Sequence, residues 1–340
     1  MPLAKFVVPG LAALAVVTAA GLSQAQDYPE TDLKFGHFAP PTTSHSQVDA
    51  WLAEQLKERS GGKVTEEIFW SGAVGSSREL LDLAGQGAVD ISAVPPSYFP
   101  ARLPLIAAPS SLPLALPTPE DAQTVVHTLW QEFPEMQEEA EAANVWPLFF
   151  HSLNQYHLLC TSPIRNLEDL KGKRIRSQGE YIPMALDAVG AVPVTILPAE
   201  FYESLQRGSV DCMLLPWDLM TAFRLEEVAK YGSTINFGSL ISNPQWFNLD
   251  VWEGFSPEVR ALFTGLVPEV LALDLKMAEE SEQAAIEKMQ AAGVEIIEFP
   301  DQAAFEAAVP DFLDVWVAKM EDAGKGDVAK RMAERWRSLR

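Results

Sequence analysis

Four cations fall within six residues of an otherwise acidic chain: Lys171, Lys173, Arg174 and Arg176. They open the run Lys173-Arg174-Ile175-Arg176-Ser177-Gln178, which reads as a strand. A guanidinium holds a carboxylate through two parallel, charge-assisted hydrogen bonds, so an arginine carried into a cleft is a carboxylate anchor. Alternation along the strand groups Arg174, Arg176 and Gln178 on one face, with Arg176 the deepest arginine. The competing reading is a solvated entrance to a strand, the commoner fate of such a cluster. Asn248 sits in Trp246-Phe247-Asn248-Leu249-Asp250-Val251-Trp252, where an amide among apolar neighbours must find backbone or ligand partners. Tyr98, Tyr156 and Trp217 are aromatic side chains placed to wall a cleft near these polar groups. His37 and His45 flank one loop without a third partner for a metal. No GxSxG elbow and no glycine-rich phosphate loop is present, so neither enzyme activity nor a cofactor is expected.

The elements that must position these residues carry a pattern used twice. Gln86-Gly87-Ala88-Val89-Asp90-Ile91-Ser92-Ala93-Val94-Pro95 and Arg207-Gly208-Ser209-Val210-Asp211-Cys212-Met213-Leu214-Leu215-Pro216 each follow a helix-like stretch, at 79–85 and 200–206. Each has a glycine able to take positive φ, then Val-Asp, a short apolar run and a proline that cannot donate to a sheet. This is the helix-to-strand joint of an α/β unit with a strand buried on both faces. One joint per half predicts two α/β lobes, and the ligand of an open α/β sheet lies outside the carboxyl ends of its strands. Further strands are expected at 33–38, 63–70, 145–150, 156–161, 173–178 and 192–197. A helix is expected after the loop 40–45, up to the Gly61-Gly62 stop, with helical regions at 120–143, 181–189 and 305–340 and one unusually long helix at 258–292.

Residues 1–25 read as an export leader, with Lys5 at the positive start, a short apolar run and the small-x-small site Ser23-Gln24-Ala25. Cleavage after Ala25 and a periplasmic location are expected. The formal net charge is −22, and removing Lys5 makes it one unit more negative, which argues against nucleic acid and anionic membrane surfaces as partners. Cys160 and Cys212 leave two readings open: a disulfide, which export permits, and two buried thiols that act as small hydrophobes.

Several segments together resemble the DctP-type solute-binding proteins of TRAP (tripartite ATP-independent periplasmic) transporters. Leu167-Glu168-Asp169-Leu170-Lys171-Gly172-Lys173-Arg174-Ile175-Arg176 is similar to their DLKG-x-K-IR segment, and Val189-Gly190-Ala191-Val192-Pro193-Val194 to their GA-x-P strand. The stretch from Glu200 to Asp211 is similar to E-x-Y-x-ALQ-x-G-x-VD, and Asn248-x-x-x-Trp252 to their later Asn-x-x-x-Trp. The resemblance implies the two-lobe periplasmic binding protein fold, with the cleft between lobes and the long helix spanning both. It implies lobe I at 26–152 with about 242–260 returning to it, lobe II at 153–241, the helix at 258–292 and a C-terminal helical region at 293–340. By position, Arg176 is the carboxylate-binding arginine and Asn248 the asparagine near the ligand, with Gln178, Tyr98, Tyr156 and Trp217 around them.

The implied partners are a small organic acid and a sodium-driven TRAP permease, with the binding protein mostly monomeric and a dimer through the C-terminal helices left open. The chain departs from sialic acid-binding members. It has Cys212-Met213-Leu214-Leu215 where they carry a polar GQEN, and about Tyr156 or His157 where they place a second arginine. A less polar monocarboxylate is therefore the expected ligand, with a cationic zwitterion on aromatic faces as its rival. Two other functions use the same residues. One is an exported enzyme acting on organic acids, for which His37, His45, Glu180 and Glu200 are the groups near the cleft; the other is a ligand-sensing subunit of a signalling receptor.

Overall fold

The computed structural model describes residues 27–340, so the expected leader lies outside the described residues. Strand β1 (Thr31–His37) leads through α1 (Ser44–Arg59) to β2 (Val64–Phe69), and α2 (Leu80–Gly85) leads to β3 (Ile91–Ala93). Thr43 caps α1 by accepting from the Ser46 amide, and Gly61 and Gly62 follow the helix with φ of 65° and 86°. Helices α3 (Pro119–Glu132) and α4 (Pro134–Ala142) divide the helical region expected over 120–143. Pro134 has no N–H for the helical ladder, so the chain breaks at Phe133 and restarts. Strand β4 (Val145–Ser152) then runs into β5 (His157–Cys160).

The second half repeats the plan. Strand β6 (Arg174–Ser177), α5 (Tyr181–Ala188), β7 (Val192–Thr195), α6 (Phe201–Gln206) and β8 (Cys212–Leu215) precede α7 (Trp217–Ala222), β9 (Tyr231–Ser233) and β10 (Ile241–Asn248). After α8 (Leu249–Gly254) comes α9 (Pro257–Ala291), 35 residues and thus roughly 50 Å long, with Pro268 inside it. Strand β11 (Glu295–Ile297) and helices α10 (Gln302–Ala308), α11 (Phe312–Asp322) and α12 (Gly326–Ser338) complete the fold.

Two sheets result. One has the order β2-β1-β3-β10-β4 and the other β11-β9-β5-β8-β6-β7. In each, a parallel trio (β2-β1-β3, β7-β6-β8) meets an antiparallel strand that reaches it through a crossing segment. The repeated joint is the third strand of each trio. Its glycines, Gly87 and Gly208, have φ of 72° and 69°. Its aspartates do the same work in both halves: an Asp90 carboxylate oxygen accepts from the Lys34 amide at 2.7 Å, and one of Asp211 from the Arg174 amide at 2.8 Å. The Val-Asp pair therefore locks each third strand to its central neighbour.

Three connections tie the halves together. The β4–β5 and β9–β10 crossings hydrogen-bond to each other, Leu153 N to Leu240 O and Tyr156 N to Gly238 O. The long helix packs Val259, Phe263, Leu266 and Val270 with the first sheet, and Ala285 and Met289 with the second. At the C-terminus, Trp316 and Trp336 are buried and their indoles donate to Pro104 and Ala115, which fixes the long segment before α3.

Cys160 and Cys212 lie directly opposite each other on β5 and β8 and form a disulfide. This decides between the two readings the sequence left open. Register does it: the antiparallel pairing places two buried side chains of adjacent strands side by side.

Candidate functional site

The carboxyl ends of β1, β3, β6 and β8 point toward one cavity between the two sheets. Arg176, at the end of β6, is the group around which it is built. The side chain is 1 % exposed, and no Asp or Glu among the described residues forms an ion pair with it. Three of its donors are used: Nη1 donates to Leu214 O at 3.1 Å, Nη2 to Gln178 Oε1 at 2.6 Å and Nε to Ile196 O at 3.4 Å. The guanidinium carbon lies 4.7 Å from the centre of the Phe201 ring, in cation–π range. Burial pulls the Arg176 pKa down, with the Tyr98 and Tyr156 hydroxyls beside it acting in the opposite sense. An arginine stays protonated through such a shift. The site is therefore a buried positive charge that retains unused N–H donors.

Gln178 links this cation to the next group, its amide nitrogen donating to the Tyr156 hydroxyl at 3.3 Å. Burial raises the pKa of both Tyr98 and Tyr156, so both stay neutral. Apolar side chains complete the wall, chiefly Phe38, Phe201, Leu215, Leu219, Phe223 and Ile241. The enclosed volume is about 20 Å³, the space of about one water. A wider cleft of about 830 Å³ adjoins it past Tyr98, Gln178 and Ile196, with Arg78 and Lys319 on its rim.

Below the wall, four side chains from four elements form a buried polar cluster. Asp49 of α1 contacts His37 Nε2 at 3.1 Å and His151 Nε2 at 3.2 Å, and His151 Nδ1 contacts Asp274 of α9 at 2.6 Å. Burial opposes charge on His151, but Asp274 and Asp49 outweigh it and raise its pKa to about 10. His151 is thus a cation held between two carboxylates. His45 stacks above this cluster, 5.8 Å from His37 and 5.8 Å from His151, and its ring lines the cavity.

Of the six site residues named from sequence, the fold brings four together: Arg176, Gln178, Tyr98 and Tyr156. The other two, Asn248 and Trp217, lie outside this lining. Asn248 caps α8, its Oδ1 accepting from the Val251 amide at 3.0 Å while Nδ2 donates to Ala84 O at 2.8 Å. Both ends of the amide thus have backbone partners. Trp217 stacks on His157, ring centres 4.8 Å apart, and lies over Gly232, where even a Cβ would come within 3.0 Å of the indole. It belongs to the core of the second sheet.

The repeat could have identified the wall residue that takes its place. Counting from the joint prolines, Tyr98 is three residues after Pro95, and the same step from Pro216 reaches Leu219, which lines the cavity. Phe201 was missed as a wall residue: it stands at the start of α6, and nothing in its local pattern aims it at the cleft. His45, named from sequence only as a group near the cleft, stands in the first turn of α1 and lines the cavity.

Residues 35–319 match the family model described as bacterial extracellular solute-binding protein, family 7 (DctP). Among curated relatives, the chain is 27 % identical over 305 residues to the C4-dicarboxylate-binding periplasmic protein DctP of Rhodobacter capsulatus, covering 86 % of this chain and 88 % of that one. It is 31 % identical over 182 residues to the uncharacterized protein YiiZ of Salmonella typhimurium, covering 53 % of this chain and 55 % of that one. Among solved structures, a TRAP periplasmic solute-binding protein of Desulfovibrio salexigens with bound orotic acid superposes with a TM-score of 0.80 at 21 % identity, covering 91 % of this chain and 99 % of that one. One of Chromohalobacter salexigens with bound D-glucuronate gives 0.79 at 18 % identity, covering 91 % and 100 %.

Proposed function

Because the chain belongs to family 7 of the bacterial extracellular solute-binding proteins, the DctP group of TRAP transporters, we propose that it captures an organic monocarboxylate with an apolar or aromatic body and hands it to a membrane permease. One observation carries this reading: Arg176 is a fully buried cation with no carboxylate partner among the described residues. Burying an unpaired charge is costly, and a ligand carboxylate received by the free N–H donors would offset that cost. The lining contains no second Lys or Arg, so a second carboxylate would meet no counter-charge inside the cavity. Phe38, Phe201, Phe223 and the leucines favour a weakly polar body. The ligands of the relatives, a C4-dicarboxylate, orotic acid and D-glucuronate, share the carboxylate and differ in the rest.

Capture would proceed by closure of lobe I (26–152 with about 242–260) onto lobe II (153–241) about the crossing segments and the helix at 258–292. The ligand would bias this hinge through contacts made only when it is closed. An export leader cleaved after Ala25 would deliver the protein to the periplasm. Calorimetry on the leader-free protein with aliphatic and aromatic monocarboxylates, dicarboxylates, uronates and betaine-like zwitterions tests the reading. Monocarboxylates should bind, and Arg176→Ala should weaken them at least a hundredfold while leaving the unfolding transition cooperative. Unchanged affinity in that variant would sink the assignment.

A further inference from the structure

The cavity contains one polar atom that the carboxylate reading leaves unused. His45 is 1 % exposed and lines the cavity, and its Nδ1 has no hydrogen-bond partner. The other ring nitrogen, Nε2, is 3.2 Å from Thr43 Oγ. That hydroxyl has two acceptors for its single proton, Ser46 Oγ at 2.6 Å and Pro40 O at 3.4 Å, and with the proton on either it accepts from Nε2–H. In a neutral imidazole the nitrogen that is not the donor is an acceptor, which leaves Nδ1 as an unpaired acceptor on a ring that lines the cavity. Stacking on Phe38, ring centres 5.7 Å apart and planes 7° from parallel, fixes the ring in that orientation. Burial, His151 and His37 together hold the His45 pKa well below the ordinary range, which keeps Nδ1 unprotonated.

Buried polar atoms are nearly always paired, and an unpaired acceptor costs free energy that a matching donor recovers. We propose that His45 selects the ligand by accepting a hydrogen bond from it: the solute is a carboxylic acid that also carries a hydroxyl or N–H donor. This rests on the carboxylate reading of Arg176 and adds a second point of recognition on the opposite side of the cavity. A parent acid without the donor, a keto acid or a methyl ether would leave Nδ1 unsatisfied. A site built to pair with a polar substituent rejects analogues lacking it far more strongly than an apolar wall rejects a shape change.

The test uses matched sets of acids built on hexanoate, phenylacetate and 3-phenylpropionate. Each set holds the parent acid, its hydroxy and amino forms at carbon 2 or 3 and, where there is one, the ring; it also holds the methyl ether and the keto acid. Calorimetry is run on the wild type, Arg176→Ala and His45→Phe, the last keeping a flat ring against Phe38. In at least one set the hydroxy or amino acid should bind about tenfold or more tightly than the parent, ether and keto forms. His45→Phe should remove that preference, so that the donor-bearing acids and their parent bind this variant alike. A preference that survives His45→Phe, or acids that bind through Arg176 with no preference for the donor, would overturn the His45 assignment alone. No binding by any acid would overturn it together with the carboxylate reading. Should His45→Phe fold poorly, nitrogen NMR of histidine-labelled wild type gives the same answer. The unprotonated ring nitrogen of His45 should shift when the hydroxy acid is added and stay in place with the parent acid, and the absence of any shift would refute the contact.

Discussion

Arg176 and Asn248 stand in motifs of similar quality, and their surroundings separate them. The arginine ends a strand facing a cavity and keeps donors free, whereas both ends of the asparagine amide are taken by backbone atoms of α8 and of the last turn of α2. Asn248→Ala should therefore act on stability alone. It removes a helix cap and one of the hydrogen bonds to the Ala84 carbonyl, which keeps the Gly87 amide at 2.9 Å, at a combined cost of about 1–3 kcal/mol. Urea denaturation should show that loss while calorimetry shows ligand affinity within about twofold of wild type. A large affinity loss with unchanged stability would return Asn248 to the binding site.

At the scale of elements, α9 carries two acidic groups that tie stability to pH, Asp274 and Glu282. Asp274 on this helix and Asp49 on α1 hold the His151 cation of β4, whose pKa stands at about 10 against an ordinary 6.5. A folded pKa above the unfolded one means stabilisation fully present below about pH 6.5 and lost as the pH rises through about 10. Glu282, also on α9, is pushed up from 4.5 to about 8 by burial, with the Asp218 charge adding to the effect. Its share is lost between about pH 4.5 and 8, with the same sign. The unfolding free energy should thus fall steadily on the alkaline side. Glu282→Gln should flatten the part of the fall below about pH 8 and leave the part assigned to His151. A profile level from pH 6.5 to 10 would contradict the ion-paired state of His151. The β5–β8 pair carries a separate stabilising device. Its disulfide closes a loop of 52 residues, for which the chain-entropy estimate is about 4 kcal/mol. Replacing both cysteines by Ala should lower stability by about 2–4 kcal/mol and leave ligand affinity unchanged, because neither sulfur lines the cavity.

For the whole molecule, the decisive quantity is the enclosed volume of about 20 Å³. A carboxylate of the proposed class is larger than this space, so binding there requires the walls around it to move. Ser44 at the start of α1 donates to Asp218 of α7 at 2.8 Å, a buried contact between elements of the two halves. Small-angle scattering should record a smaller radius of gyration with ligand than without it. Thermal unfolding at a hundred times Kd should report about 2.7 kcal/mol of added stability. An unchanged radius with full thermal stabilisation would mean that side chains admit the ligand and the halves stay in place.

The sequence alone was enough to place the two third strands, because a glycine at positive φ, a Val-Asp lock and a terminating proline are local devices that act on their own few residues. It also placed the long helix, whose period and caps are written along one segment, and the strand that carries Arg176. What required the tertiary structure was the direction and company of individual side chains. Asn248 meets a carbonyl 164 residues away, Trp217 lies on Gly232, and the partner of Cys160 is set by the register of β5 on β8. His45 meets His37 of β1 and His151 of β4 only because the fold stacks those strands against the start of α1. Local pattern fixes where a chain turns and which face is buried; whether a buried polar atom is left unpaired depends on what distant segments bring to it. For this protein, that remainder is where ligand recognition lies.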